Sequence, residues 1–189
     1  MKSNNALMFS FMLVELSLNV GVAFSQASTL KIGDTYAGGI VFYLDGNGGG
    51  LVTAPSDQAR IQWYNDAYIN TSAFATEIGS GKANTQSIID KQGAGNYAAT
   101  LCANLDLGGF RDWYLPSKDE LDLIYKNLKI TGLQTFKVNW YWSSSMDTSS
   151  STDNTHYGFV WAQSFDDGKQ AINLSSNKAW VRAIRAFQQ

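Results

Sequence analysis

The stretch "FRDWYLPSKDEL", Phe110 to Leu121, constrains the fold more than any other part of the chain. It places an Arg-Asp pair, three aromatics and the second of only two prolines directly before a helical pattern. Pro116 has no N–H for a ladder and biases Leu115 toward extended backbone. Ser117 and Glu120 have capping-box spacing: the hydroxyl takes a first-turn N–H and the carboxylate reaches back. Asp119 adds negative charge at the positive end of the helix dipole. Leu121, Ile124, Tyr125 and Leu128 recur at helical spacing, which predicts a helix over Lys118 to Leu128. Glu120 as a catalytic acid is the sharper alternative, but capping explains it with fewer assumptions.

The flanking segments read as follows. Ile40 to Asp45 and Leu51 to Ala54 are β-rich runs joined by Gly46 to Gly50, a hairpin whose Gly and Asn residues supply positive φ. Its "DGNGG" resembles the start of a calcium loop but lacks the later acidic ligands and the closing glutamate. The segment from Trp63 has no sustained period. Two short helices are expected next: Thr85 to Lys91, with Asn84 as N-cap and Gly93 past its end, then Tyr97 to Leu105, ended by Gly108-Gly109. "NWYWSSS" runs into the polar loop "MDTSSSTDNTH". In "YGFVWAQSF", Tyr157, Phe159, Trp161 and Phe165 share one face and Gly158, Ala162 and Ser164 the other. The turn "DDG" leads to a short strand near Gln170 to Leu174, and "SSNK" turns the chain again. In the closing "AWVRAIRAF", Trp180, Arg182 and Ile184 alternate with Val181, Ala183, Arg185 and Phe187. A hairpin, central helices and a C-terminal antiparallel meander make an α+β domain.

The N-terminus is read separately. Ala6 to Phe24 is mostly apolar, interrupted by Glu15, and Ala23 and Ser25 fit a secretory cleavage site before Gln26. A cut after Ala27 fits nearly as well, and an uncleaved anchor is the alternative. The expected organisation is a signal peptide over residues 1–25, a linker over 26–31 and one domain over 32–189. The protein is then secreted, at the cell surface or periplasmic, with no membrane insertion after cleavage. Cys102 is the sole cysteine, so a secreted domain of this sequence has no internal disulfide and leans on its aromatic core. Cys102 itself, after "YAATL", reads as a small buried apolar residue. A net charge of -2 excludes a nucleic-acid partner.

Four pieces, "GGIVFYLD", "GGFRDWYLPSKDELDLIY", "YWSSS" and "AWVRAIRAF", resemble the Lcl C-terminal domain family in order and spacing over about residues 32 to 187. The resemblance implies a bacterial C-type-lectin-like fold, of the branch shared with formylglycine-generating enzymes and retroelement-diversified variable proteins. That fold joins the chain ends in small antiparallel sheets, with two to three helices packed on one side. It also implies scaffold roles for Trp113, Leu115 and Pro116 at the helix start, for Trp142 and Ser143, and for Arg182 and Arg185 on the last strand.

Catalytic chemistry finds little support. Formylglycine-type oxidation uses a pair of cysteines to bind copper, and this chain has one. His156, the sole histidine, lies in a polar loop near Ser143 to Ser145, with no aspartate placed behind it. Zinc ligands are too few. The calcium-chelating tripeptides of sugar-binding C-type lectins are absent, and "WYND" at Trp63 to Asp66 is only a near match. The expectation is a non-catalytic binding module, without cofactor or metal, for an extracellular glycan or a surface protein, in the manner of an adhesin. A diversifiable protein-recognition surface and a structural domain of a surface assembly are the alternatives. Irregular loops on a rigid scaffold carry binding residues. The expected ligand face is therefore Trp142 to Tyr157 with outward positions on the meander: Trp140, Tyr141, Trp142, Asp147, Asp153, His156 and Tyr157.

Overall fold

The structure, a computed structural model, describes residues 29–147 and 158–189. The segments read as signal peptide and linker fall almost wholly outside these residues. The elements are β1 (Thr35–Tyr36), β2 (Gly39–Leu44), β3 (Gly49–Thr53), β4 (Ala59–Gln62), α1 (Gly81–Gln92), α2 (Ala98–Ala103), α3 (Lys118–Ile124), β5 (Trp140–Met146), β6 (Phe159–Ser164), β7 (Gln170–Leu174), β8 (Lys178–Val181) and β9 (Ile184–Gln188). The protein is α+β, with two sheets in the orders β1-β2-β3-β9 and β4-β8-β5-β6-β7.

The hairpin forms, with its return strand starting at Gly49 inside the expected turn, and β3 pairs along its whole length with β9, so the first and last strands share one sheet. Asp45 is committed to its turn: Oδ1 accepts the N–H groups of Asn47 and Gly49 at 2.7 and 2.9 Å. A bulge at Phe42 leaves that residue's carbonyl off the ladder, and Asn127 Nδ2–H donates to it at 2.9 Å.

"AWVRAIRAF" is not one strand. It breaks at Arg182-Ala183 into β8, in the five-stranded sheet, and β9, in the four-stranded one. The alternation survives the break: Val181, Ala183 and Phe187 enter one core cluster, Trp180 and Ile184 the other. The β3–β4 segment crosses between the same two sheets alongside it. There Ala54 N–H donates to Ala183 O and Gln58 N–H to Val181 O.

The two clusters lie on opposite faces of the strands, since Val41 belongs to one while Ile40 and Phe42 belong to the other. α1 and α2 bury Ile88, Ala98, Ala99 and Cys102 in the first; α3 and the following turn bury Leu121, Ile124 and Leu128 in the second. The helices therefore divide between the faces instead of packing on one side, because β2, β5 and β9 carry apolar residues on both. Burial pushes the Cys102 thiol well above its ordinary pKa.

The helix ends differ in detail from the sequence reading. α1 starts earlier, with Ser80 in the N-cap position. Asn84 lies inside it and spends its amide on Ala75 O and Ser144 Oγ. α2 is shorter than expected and stops at Asn104, before the glycines. α3 has the Ser117–Glu120 capping box but passes at Tyr125 into one π-helical turn, Tyr125–Lys129.

The corner of the opening motif is tied down on every side. Trp113 is 2% exposed and its Nε1–H donates to Phe110 O at 3.1 Å. Tyr114 and Ile184 exchange backbone hydrogen bonds at 2.8 and 2.9 Å, which docks the corner on β9. Leu115 N–H donates to Thr85 Oγ1 of α1, and Ser144 N–H donates to Pro116 O. Truncation at Trp113 leaves a cavity in the larger cluster. We expect Trp113→Ala to cost about 3–5 kcal/mol in denaturant unfolding; a melting temperature within a degree or two of the parent would contradict this placement.

Candidate functional site

Of the residues expected to form one ligand face, the described ones, Trp140, Tyr141, Trp142 and Asp147, do not come together on one surface. Tyr141 and Trp142 are fully buried: Tyr141 OH donates to Asp57 Oδ2 at 2.9 Å and Trp142 Nε1–H to Ile61 O at 2.8 Å. Both belong to the core, because β5 lies between β8 and β6 with one cluster on each face. Trp140 is half-buried at the start of β5, whereas Asp147 is buried just past its end, roughly 20 Å away along the strand. Asp153, His156 and Tyr157 lie outside the described residues.

The three serines after Trp142 are also interior. Ser143, Ser144 and Ser145 are fully buried, in a stretch where β5 leaves register with β6. Their polar groups are taken up elsewhere. Ser143 Oγ–H donates to Trp161 O, Trp63 Nε1–H to Ser143 O, and Ser145 Oγ–H to Ala75 O. Lys118 N–H donates to Ser145 Oγ at 3.1 Å, so this knot fixes the start of α3.

The expected outward positions of the meander do form a surface. Phe159 pairs with Leu174 and Trp161 with Ile172 across the β6–β7 ladder, and residues directly opposite share a face. Further along the same face, Gln163 is buried under α3 and donates to Asp122 Oδ1 at 2.9 Å. The sheet then emerges past the helix. Phe159, Trp161 and Leu174 are half-buried there, and Ile172 is 44% exposed. Tyr68, 51% exposed, extends the row: its ring lies against Gly158, stacks on Tyr64 at 5.0 Å, and its OH donates to Ser176 Oγ at 3.0 Å. Sequence reading had grouped Phe159 with Trp161. It missed Ile172 and Leu174, although their i, i+2 spacing is a strand signal, and it missed Tyr68, whose loop shows no period.

Lys118 borders this platform. Its Nζ lies 4.9 Å from the Trp161 ring centroid, and Gln170 Nε2–H donates to its carbonyl at 2.9 Å. Its place at the first helical position follows from the capping box. Glu120 is fully buried and accepts Ser117 N–H at 2.7 Å and Gly79 N–H at 2.8 Å, joining the loop before α1 to the start of α3. Gly81 opens α1 where an added Cβ would run into that carboxylate and Leu115 O.

The remaining scaffold residues are paired. Arg185 holds Asp112 through Nε and Nη2 at 2.7 and 3.0 Å, lies 3.8 Å from the Phe110 ring centroid, and keeps the Asp112 carboxyl below the usual range. Arg182 is buried with Asp57. The described residues contain no group of three His, Cys, Asp or Glu that could hold a metal. A cavity of about 440 Å³ lies between α2 and Ser56–Gln58, lined by Asn96, Asn104 and three leucines and without an aromatic wall.

The profile of the Lcl C-terminal domain family matches residues 53–185. The chain belongs to the Lcl C-terminal domain family. Among curated proteins, none matches it. The matched range starts at the last residue of β3, so the hairpin that closes the sheet with β9 stands almost entirely before it. The platform, the serine knot and the Arg182–Asp57 pair fall within the range that defines this Lcl C-terminal domain.

Burial raises the Glu120 pKa above the ordinary carboxylate value, although backbone N–H donors pull it back. In that window the folded state binds more protons than the unfolded chain. Glu120 thus stabilises the fold fully below the ordinary value, and this contribution is lost as pH rises through the raised one. The stability advantage of the parent over Glu120→Gln should therefore shrink from acidic to neutral pH. An advantage that grows over the same range would show that the N–H donors outweigh burial.

Proposed function

We propose that this Lcl C-terminal domain is a secreted or cell-surface, non-catalytic binding module on a C-type-lectin-like scaffold. It recognises an extracellular glycan on the β6–β7 platform. The observation that carries this reading is Trp161, half-exposed on a rigid ladder, with the Lys118 ammonium over its ring and further aromatic residues along the same face. Flat ring faces suit the apolar faces of sugars, and neighbouring Ser, Asn, Gln and Lys groups supply the hydrogen bonds. Asp147 borders the platform, its N–H donating to Phe159 O at 3.0 Å.

A specific feature favours a second reading. Ile172 and Leu174 give one side of the platform an aliphatic surface, which a protein partner covers better than a sugar does. A glycan array run beside a panel of surface proteins separates the two. In either case Trp161→Ala should lower affinity at least about tenfold, equivalent to ~1.4 kcal/mol, while circular dichroism stays at the parental spectrum. A folded Trp161→Ala protein that binds at parental affinity moves the site elsewhere.

A further inference from the structure

We propose that the cavity beside Trp180 is a second binding site, taking a single carboxylate carried on a flat-faced ring. The cavity measures about 310 Å³ and is bounded by Arg182, Asp57, Thr135, Phe136, Lys137 and Trp180. That volume is at the lower end of the ~300–1,000 Å³ typical of small-molecule sites. Trp180 sits on β8, separated by β5 from the β6–β7 platform, so the inference does not rest on the platform's function.

The polar floor is preformed. Arg182 is 2% exposed; its Nε–H donates to Asp57 Oδ1 at 2.8 Å, Nη1–H to Ala54 O at 2.8 Å and Nη2–H to Thr135 O at 3.3 Å. Arg182 lines the cavity from below with its side chain 1% exposed, so it lends the site a fixed positive charge that the backbone acceptors hold in place. Phe136 backs it, with the guanidinium carbon 4.3 Å from the ring centroid. Asp57 does not repel an incoming anion strongly, because Arg182 answers one oxygen and the Tyr141 hydroxyl the other, at 2.9 Å.

Lys137 decides the sign of the site. It is exposed at the rim, its Nζ lies 5.8 Å from the Trp180 ring centroid, and it makes no ion pair among the described residues. Arg182 and Lys137 against Asp57 leave one net positive charge, in a chain whose net charge is -2. A carboxylate can take the exposed Lys137 ammonium, with the buried guanidinium charge behind it adding attraction, and such charge-assisted bonds are the strong ones. The half-exposed Trp180 face then receives the ring that carries the carboxylate.

Two sources share this chemistry, aromatic acids and acidic sugars. Calorimetry on the full chain with benzoate and with glucuronate distinguishes them, with benzyl alcohol and glucose as uncharged counterparts. We expect saturable, salt-sensitive binding of at least one acid, about tenfold or more weaker in Lys137→Ala, lost in Trp180→Ala and unchanged in Trp161→Ala. If Trp180→Ala does not fold, the exposed Lys137→Glu decides instead, and should abolish acid binding. Absence of saturation at millimolar acid, equal affinity for the uncharged counterparts, or parental affinity in Lys137→Glu would each overturn the proposal.

Discussion

The ion pair between Arg182 and Asp57 lies where two sheets share two continuous stretches of chain. β3 and β4 belong to different sheets, and so do β8 and β9; both crossings occur at one level, Ala54–Gln58 against Arg182–Ala183. Peptide groups leaving one ladder for another lack regular partners, and an unpaired buried polar group is costly. Arg182 satisfies Ala54 O and Thr135 O and neutralises Asp57, while Gln58 Oε1 accepts Ala183 N–H at 2.5 Å. The side chain that fills the break between the sheets is also the one that satisfies its polar groups.

The positions of the functional surfaces follow from this junction. β8 pairs with β5, β5 with β6, and β6 with β7, so the register of the platform is inherited from the point where the last stretch of chain switches sheets. On the other side of β5, the same arginine and aspartate form the floor of the Trp180 cavity. The serine knot fixes the third coordinate by seating the start of α3, and hence Lys118, beside Trp161. A change at the junction should therefore reach both surfaces, whereas a change on the platform need not reach the junction.

Local patterns were readable in the sequence. The capping box, the Gly-rich hairpin and the alternation through residues 180–187 each depend on near neighbours, and each is present. The break at Arg182 was not readable, because both halves keep the same alternation and nothing local marks the change of partner. Ser143–Ser145 fell within the expected ligand segment, Trp142 to Tyr157, because adjacent serines before a polar run give no local sign of burial; here distant groups on Ala75, Trp161 and Lys118 satisfy them inside the core. Tyr141 and Trp142 were misplaced for a related reason: an aromatic residue looks alike in sequence whether it fills a core or faces a ligand. The aromatics that do reach the surface are separated from them by the hydrogen-bond register of β6 and β7, which no single segment specifies.

The most direct measurement is a double-mutant cycle on Arg182 and Asp57, with Arg182→Met, Asp57→Asn and the double variant compared by denaturant unfolding. Breaking a buried pair from one side leaves the other group uncompensated, so the arginine substitution should cost about 3–5 kcal/mol. The double variant should cost less than the sum of the singles by about 1–3 kcal/mol, because the two groups act on each other. Additive costs, or an Arg182→Met protein as stable as the parent, would show that the junction is held by the backbone ladders alone.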